Sequence, residues 1–260
     1  MVKVRSEKEL GLMRESGRIS ALALRKVLQN VKVGISGLEL DRIAEAEIKS
    51  LGGQPSFKTV RGYKCTICIT VNEEVVHGIP TNRKLKEGDL VSIDLGAVYK
   101  GWHTDTAWSV LVRGKGERGK LEEEKFLKIG EEAMWAGVKQ AVTGKRIGDI
   151  SAAIQEKVEG NGYSVVRALV GHGVGRELHE EPEVPGYGIV HTGMELKTGM
   201  TIAIEAIYNM GSYEVELARD GWTYISADRS MAGLFEMSVI VGKKESKVLT
   251  DWRKVKPIVD

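Results

Sequence analysis

The chain contains the same short pattern twice, and each copy leads into an apolar run that holds one carboxylate. The first copy, Leu85-Lys86-x-Gly88, runs on to Ile93-Asp94. The second copy, Leu196-Lys197-x-Gly199, runs on to Ile204-Glu205, so that Asp94 corresponds to Glu205 at an offset of 111 residues. A repeat of this kind predicts that both halves of the chain contribute an acid to one centre.

The repeat extends beyond the two acids. Val76-His77-Gly78 is similar to Gly171-His172-Gly173, and Gly34-x3-Leu38 is similar to Gly144-x3-Gly148 at an offset of 110 residues. A turn followed by a strand can recur by chance, but helix, His-Gly and carboxylate recur here in one order, which favours duplication. A histidine and an acid from each half, brought to one centre, predict a metal-dependent active site.

Helices and strands are predicted in the same order in both halves. Ser6 and Glu9 have the spacing of a capping box, and apolar residues follow at helical intervals. Two helices and then a sheet, twice over, predict one pseudo-symmetric α+β catalytic domain over 1–260, with the helices on one face of a curved sheet. A flexible glycine-rich link at 114–119 separates the halves, about 1–113 and 120–260. Helices are predicted at 6–29, 38–51, 122–141 and 147–159, and strands at 65–71, 90–98, 102–112, 201–208, 213–219 and 235–241.

Charge and composition argue against several classes of protein. A formal net charge of +2 gives no reason to expect direct binding of nucleic acid or of membranes. The chain has no apolar run of about 20 residues, and its charged start lacks the apolar segment of a secretory signal. Cys65 and Cys68 form one isolated C-x-x-C, which offers too few ligands for structural zinc, and both are expected to be reduced, partly buried thiols. We expect a cytoplasmic monomer.

Asp94 and Asp105 are predicted to face each other across a hairpin. If the centre of the turn lies between Tyr99 and Lys100, the two aspartates are directly opposite, with Cβ atoms about 4.5–5.5 Å apart on one face. Two such carboxylates repel unless a proton or a cation lies between them. A solvated pair at the rim of a sheet is the alternative, but the apolar flanks favour a buried pair.

Two glutamates lie in equally apolar runs. Glu205 and Glu236 are each flanked by aliphatic or aromatic residues, and a carboxylate is costly to bury without a partner. Each could instead pair with an arginine, and Arg219 and Arg229 are available. Together with the two aspartates they form a set of oxygen ligands that suits Mn, Fe, Co or Zn.

Three of the five histidines lie in glycine-flanked or acid-flanked motifs, namely His77, His172 and His179. A lone histidine is more often structural, but this grouping favours a functional role. Two Asp, two Glu and one His fit two metal ions about 3.5–4 Å apart that share a water and lower its pKa. A second imidazole can hydrogen-bond a substrate carbonyl or transfer a proton. His103 and His191 lack such a context and are predicted to be surface residues.

Taken as an ordered set, these residues resemble type I methionine aminopeptidases of peptidase family M24 over nearly the whole chain. The short N-terminus shows no zinc-finger extension, and the second half shows no long insertion of the type II kind. The matching motifs are His77-Gly78-Ile79-Pro80, the spacing from Asp94 to Asp105, Gly171-His172-Gly173-x-Gly175-Arg176, His179-Glu180-Glu181-Pro182, Ile204-Glu205 and Phe235-Glu236.

The resemblance implies a pita-bread fold, in which two pairs of helices cover a curved antiparallel sheet. It implies removal of the initiator methionine from nascent polypeptides by a metal-bridging hydroxide, with two divalent ions (Co, Mn, Fe or Zn) as cofactors. Docking at the ribosome is implied by analogy. His77 and His179 would contact the substrate, and Glu205 would accept the proton of the attacking water. The implied metal ligands are Asp94, Asp105, His172, Glu205 and Glu236, with Asp105 and Glu236 bridging, and the implied methionine pocket holds Tyr63, Cys68, Leu178 and Trp222.

The chain departs from the family pattern close to the site. The family usually has Phe at the position of Leu178 and Pro at the position of Ala206. Around Glu236 it commonly has Gln before the aromatic residue and His-Thr after the acid, where this chain has Leu234, Met237 and Ser238. All five implied ligands are present, although changes next to metal ligands lower metal affinity or activity in metalloenzymes.

Two alternatives stay open. A proline-directed peptidase of the same fold, such as prolidase or aminopeptidase P, usually has a large extra N-terminal domain, which this sequence does not show. A non-enzymatic binding protein on this scaffold would be expected to lose metal ligands, and none is lost here. Cleavage of peptides that start with Met, compared with cleavage of Xaa-Pro dipeptides, distinguishes a methionine aminopeptidase from the first alternative. The metal content of the purified protein distinguishes it from the second.

Overall fold

Antiparallel strands form the centre of the structure, which is a computed structural model that describes residues 3–114 and 121–255. The strands are β1 (Gln54–Pro55), β2 (Ile67–Val71), β3 (Glu74–Val76), β4 (Leu90–Tyr99), β5 (Trp102–Leu111), β6 (Ser164–Val165), β7 (Gly171–Gly173), β8 (Glu180–Val184), β9 (Thr201–Asn209), β10 (Val215–Leu217), β11 (Tyr224–Ser226), β12 (Ala232–Ile240) and β13 (Lys247–Val248). Ten of them form one sheet, whose main path runs β1-β4-β5-β12-β9-β7-β8. The two long strands of each half therefore lie side by side at the centre of this sheet.

Two pairs of helices pack on this sheet. They are α1 (Glu7–Leu28), α2 (Gly37–Ser50), α3 (Leu121–Gln140) and α4 (Ile147–Glu159). α1 packs against β4 and β5, and α3 packs against β9 and β12. Ser6 caps α1 together with Glu9 in the capping box that the sequence predicts. The predicted α+β fold, with helix pairs on an antiparallel sheet, is confirmed.

The boundaries of the elements follow the predictions closely except at three strands, one of which, β12, begins at Ala232 and not at the predicted residue 235. All four helices begin and end within one residue of the predicted positions. The strands predicted at 65–71 and 213–219 are shorter, because β2 begins at Ile67 and β10 covers Val215–Leu217. The predicted link at 114–119 lies outside the described residues except for Gly114. No described helix has the length and hydropathy that a membrane span requires.

The sequence repeat corresponds to repeated geometry. Gly34 and Gly144 have φ angles of 86° and 88° in the turns that precede α2 and α4. Glycine is favoured there because it has no Cβ to clash at positive φ. Ser36 then forms an isolated antiparallel bridge with Lys84, and a second such bridge joins Arg146 to Glu195. The two halves therefore place each second helix by equivalent turns.

The segment before α1 is attached to the sheet by a buried ion pair. The side chain of Arg5 is 5% exposed and pairs with Glu180 at the start of β8, whose side chain is 9% exposed. Arg5 also donates to Thr201 Oγ1 at 3.4 Å, and its guanidinium lies 5.2 Å from the ring centroid of Trp102. Burial raises the pKa of Glu180, but the hydrogen bond and charge of Arg5, together with two backbone N–H groups, outweigh burial and leave that pKa below its ordinary value.

We expect Arg5→Ala to lower the free energy of unfolding by about 3 kcal/mol, because Glu180 would stay buried without its cation. The loss lies at the low end for a broken buried pair because Glu180 Oε1 also accepts hydrogen bonds from the backbone N–H groups of Arg176 and Glu177. Since the pKa of Glu180 is lowered, the stabilisation is present above the ordinary carboxyl pKa and is lost as the pH falls through the lowered pKa. Urea unfolding at neutral and at acidic pH measures both effects.

Arg14→Ala is the matched control for this prediction. Arg14 Nη2 lies 3.2 Å from Glu7 Oε2, but the two side chains are 42% and 83% exposed. An exposed pair of this kind contributes about 0–1 kcal/mol. The prediction would be contradicted if the two variants lost the same free energy of unfolding. It would also be contradicted if the difference in free energy of unfolding between wild type and Arg5→Ala were as large at acidic pH as at neutral pH.

Candidate metal centre

Five neighbouring strands each contribute one side chain to a single cluster. In order across the sheet, these are Asp94 on β4, Asp105 on β5, Glu236 on β12, Glu205 on β9 and His172 on β7. Three of the strands belong to the second half of the chain and two to the first. The structure thus brings together all five residues that the resemblance implies as metal ligands.

The cluster lies on the sheet face that the helices leave free. Ile93 and Leu95, on either side of Asp94, belong to the apolar core that packs against the helices. Because successive side chains in a strand point to opposite faces, Asp94 points away from that core. The same alternation applies to Glu205, whose two neighbours along β9 also belong to the core.

Asp94 and Asp105 are diagonal neighbours, so the prediction that they are directly opposite is wrong. In the hairpin of β4 and β5, Asp94 pairs with Ala107, and Asp105 pairs with Gly96. A shift of two residues keeps both side chains on the same face, since the side-chain period of a strand is two. The correction therefore leaves both aspartates in the cluster.

The turn of this hairpin explains the shift. Tyr99 pairs with Trp102, so the centre of the turn lies between Lys100 and Gly101, one residue later than predicted. Both central residues have positive φ, 49° and 76°. A two-residue hairpin loop requires such angles, but a lysine rarely adopts them, so the sequence contains no clear signal for this turn.

Burial raises the pKa of all four carboxyl groups. The pKa of Asp94, of Glu205 and of Glu236 lies well above its ordinary value, chiefly because of burial, and neighbouring acids add to the shift. Burial raises the pKa of Asp105 to about 7, although the backbone N–H of Thr106 opposes the shift. Glu205 and Glu236 also face each other directly across β9 and β12. Protons or cations must lie among acids placed so closely.

Subsets of the cluster have the spacing of metal ligands. Ligand atoms lie within 4.8 Å of one another in three groups of described residues. Three residues each belong to two of these groups, namely Asp105, Glu236 and His172. The other three residues each belong to one group. The groups are Asp94-Asp105-Glu236, His172-Glu205-Glu236 and Asp105-His172-His179.

His172 presents a lone pair to the acids. Its Nδ1 lies 2.9 Å from the carbonyl oxygen of Gly173, and a carbonyl can only accept, so Nδ1 carries the hydrogen. Its Nε2 lies 3.6 Å from Glu205 Oε1 and 3.9 Å from Asp105 Oδ2. Burial, with a contribution from His179, lowers the pKa of His172 to about 4. The ring is therefore neutral, as a metal ligand must be.

His77 and His179, which are predicted to contact a substrate, stand beside the cluster. The rings of His172 and His179 have centroids 4.4 Å apart and meet nearly edge to face at 81°. Burial lowers the pKa of His77. Partial removal of water from around its ring also lowers the pKa of His179, although this side chain borders a cleft. Both rings are neutral near pH 7 and can each donate and accept one hydrogen bond.

His103 is buried, so the prediction that it is a surface residue is wrong. It is 7% exposed, and its Nδ1 lies 2.6 Å from Ser56 Oγ. Its backbone N–H donates to the carbonyl of Gly175 at 2.7 Å. Its position on β5, two residues before Asp105, was the available signal, because residues two apart share a face. His191 is exposed, as predicted.

A narrow, mostly apolar pocket of about 110 Å³ opens onto the cluster. The four pocket residues implied by the resemblance all line it, and the rings of Tyr63 and Trp222 pack edge to face at 5.1 Å. Sequence reasoning missed Phe57, Val60 and Val76, which also line it; Phe57 belongs to a short 3-10 turn that no motif marks. The predicted lining residues are Tyr63, Cys68, Leu178 and Trp222, and both Cys65 and Cys68 are free thiols.

A wider cleft of about 600 Å³ meets the pocket at the cluster. His77, His179 and Glu205 border both spaces. Exposed acids, including Glu181 and Glu183, line the outer part of the cleft. A pocket for one side chain beside an open cleft can accommodate the end of a polypeptide.

Comparison with known proteins agrees with this geometry. The profile of metallopeptidase family M24 matches residues 11–241, and the chain belongs to this family. It is 44% identical over 250 residues to methionine aminopeptidase 1 of Bacillus subtilis, covering 96% of this chain and 99% of the relative. It is 43% identical over 250 residues to the methionine aminopeptidase of Clostridium perfringens, with the same coverage.

Solved structures extend the comparison. The crystal structure of methionine aminopeptidase from Thermotoga maritima matches with a TM-score of 0.93 and 38% identity, covering 96% of this chain and 99% of that chain. Prolidase from Pyrococcus furiosus matches with a TM-score of 0.76 at 23% identity and 65% coverage of that chain, which shows a shared fold. The resemblance to methionine aminopeptidases drawn from the motifs is confirmed.

We expect the affinity for Mn²⁺ to rise as the pH is raised from about 6 to about 8, because carboxyl groups with raised pKa values must lose protons to bind a metal. Asp105, with its pKa near 7, titrates within this range. Isothermal titration calorimetry in two buffers with different ionisation enthalpies measures the released protons. Glu181→Gln, a change at the exposed rim, is the control and should release the same number. Affinity that is independent of pH, with no proton release, would contradict this reading of the cluster.

Proposed function

We propose that this chain is a metal-dependent aminopeptidase that hydrolyses the peptide bond after an N-terminal methionine. The observation that carries the proposal is the position of the five-residue cluster, at the junction of a pocket for one side chain and an open cleft. Relatives that are 40–44% identical over 96% of this chain have the name methionine aminopeptidase, which supports the same activity here.

The cluster fits divalent cations. Asp94 Oδ1 and Glu236 Oε1 are buried without a hydrogen-bond partner among the described residues, which is costly unless a cation or proton is present. Carboxylate oxygens with one imidazole suit Mn, Fe, Co or Zn. Divalent ions bound here would lower the pKa of a water and polarise a carbonyl group. The residues that would hold two ions are Asp94, Asp105, His172, Glu205 and Glu236.

Asp105 and Glu236 are the proposed shared ligands. Each belongs to two of the groups with metal-ligand spacing, as His172 also does. A carboxylate has two oxygens that could serve two ions, whereas a neutral imidazole has one free lone pair. They come from β5 and β12, the two strands at which the halves of the chain meet in the sheet. Sharing ligands across this seam supports the proposal that both halves form one catalytic unit.

The pocket selects the first residue of the substrate. Its volume of about 110 Å³ accommodates one extended side chain, and its apolar walls suit a thioether. Tyr63 donates its hydroxyl hydrogen to the carbonyl of Ile67 at 2.7 Å, so this ring presents its apolar face to the pocket. The methionine side chain would fill the pocket while the rest of the polypeptide lies in the cleft, which explains cleavage at the N-terminus.

His77, His179 and Glu205 are the proposed catalytic residues. The neutral His179 ring, in contact with His172, is placed to donate a hydrogen bond to the scissile carbonyl. His77 borders both the pocket and the cleft, where the peptide after the methionine would pass. Burial and Asp105 raise the pKa of Glu205, which suits it to take a proton from the attacking water and pass it on.

Further expectations accompany this activity. We propose that the enzyme acts as a monomer in the cytoplasm on nascent polypeptides, and docking at the ribosome is proposed by analogy with the family. Direct binding of nucleic acid or of membranes is not expected from the net charge of +2. The proposed cofactors are two divalent ions of Co, Mn, Fe or Zn.

Product analysis tests the function directly. With Mn, Fe, Co or Zn supplied in turn, we expect free methionine from Met-Ala-Ser and no cleavage of Ala-Pro, because the site selects the first side chain by the pocket. Mass spectrometry of the products measures both reactions. Asp105→Asn should lose metal and activity together. Cleavage of Ala-Pro without cleavage of Met-Ala-Ser would assign the chain to the proline-directed peptidases instead.

We expect His179→Ala to lower kcat by about 10²-fold or more, the usual contribution of a group that transfers or donates a proton. Metal content should stay near wild type, because five other side chains hold the ions. Steady-state kinetics and elemental analysis of the same sample measure the two quantities. His191→Ala, which removes an exposed ring, is the control and should leave both unchanged. Loss of metal from His179→Ala would make His179 a ligand.

A further inference from the structure

Ser238 lies at a fork in the sheet, beside the proposed metal ligands. β12 pairs with β5 at Glu236 and Met237, and with β13 at Val239 and Ile240. The change of partner falls at Ser238, which is fully buried. β12 therefore leaves β5 at this residue.

The hydroxyl of Ser238 spans the fork. Its backbone N–H donates to Thr250 Oγ1 at 3.1 Å, and its carbonyl accepts from the N–H of Leu249 at 2.9 Å, so its main chain is bonded to the segment after β13. Its Oγ accepts from the N–H of Asp105 at 2.9 Å and donates to the carbonyl of Asp105 at 2.8 Å. One hydroxyl thus satisfies both backbone groups of a proposed ligand.

Hydroxyl groups also hold the other end of the contact between β5 and β12. Ser109 Oγ donates to the carbonyl of Leu234 at 2.8 Å and accepts from its N–H at 2.9 Å. Between the two serines, Thr106 Oγ1 donates to the carbonyl of Glu236 at 3.0 Å. Among the described residues, β5 and β12 are paired in the backbone ladder at two positions. The spacing of these strands therefore depends on side chains as well as on the ladder.

We propose that Ser238 is a positioning residue for the metal centre, whose hydroxyl fixes the backbone of Asp105 against β12 and so sets the Asp105 and Glu236 carboxylates at the separation that metal binding needs. This inference rests on the proposed function. The two carboxylates repel unless a proton or a cation lies between them, so a link between their strands keeps the ligands in place as a cation replaces the proton. Without the link, part of the binding free energy would be used to bring the strands together.

Metal affinity tests the inference more directly than activity does. We expect the Kd for Mn²⁺, measured by isothermal titration calorimetry on the full chain, to rise by about 10-fold or more in Ser238→Ala, the scale for residues that orient metal ligands. Ser238→Thr keeps the hydroxyl and should stay near wild type. The visible absorption of bound Co²⁺, which reports ligand geometry, should change in the alanine variant and not in the threonine variant.

Ser151→Ala is the matched control, because it removes a hydroxyl that is equally buried but donates to the carbonyl of Ile147 within α4. It should lower stability without changing Mn²⁺ affinity. Wild-type affinity and Co²⁺ spectrum in Ser238→Ala would overturn the inference and leave the proposed function intact, and so would equal losses in the alanine and threonine variants. Failure of the wild-type chain to bind Mn²⁺ would overturn both. If Ser238→Ala does not fold, Ser238→Cys, with its weakly bonding thiol, is measured in its place with the same outcomes.

Discussion

Electrostatic repulsion among four buried carboxyl groups is the constraint on which the organisation of this protein depends. Asp94, Asp105, Glu205 and Glu236 lie within one patch of a sheet, and burial already disfavours the charge of each. The opposite face of the same strands carries the large apolar core that packs against the helices. Burial of that face stabilises the sheet, which in turn holds the acids close enough for cations to replace protons between them.

The departures from the family pattern differ in effect according to whether the side chain lies in the core or lines the pocket. Ala206 and Met237 are fully buried in the core that packs against the helices, so they affect packing and lie away from the metal ligands. Leu178 and Leu234 line the narrow pocket and therefore contact whatever side chain enters it. Among these four departures, the two leucines are therefore the ones placed to affect which side chain the pocket admits.

Local patterns were sufficient to predict the helices, the repeat and the four acids of the cluster, because an acid in an apolar strand is costly unless it has a partner. The choice of His172 among the histidines came from the family resemblance. Local patterns were insufficient wherever the answer depended on distant strands or on a turn. The register of β4 and β5 depends on positive φ at Lys100. The burial of His103 depends on Ser56 and on the Gly175 loop, which lie far from it along the chain. For His103 the local sequence shows only that it shares a face with Asp105, and it does not show these distant partners.

The internal repeat accounts for the symmetric part of the site, and differences between the edge strands account for the rest. β2 pairs with β4, and β7 pairs with β9, so each acid-bearing strand has an equivalent neighbour on its outer side. On β2, the residue opposite Asp94 is Cys68, which lines the apolar pocket. On β7, His172 supplies an imidazole to the cluster. The register differs at the two edges, because His172 is opposite Ala203 and not opposite Glu205. One edge of the cluster therefore borders the apolar pocket, and the other edge supplies an imidazole. This asymmetry suits the proposed removal of one terminal residue, because the pocket for its side chain lies on one edge of the cluster.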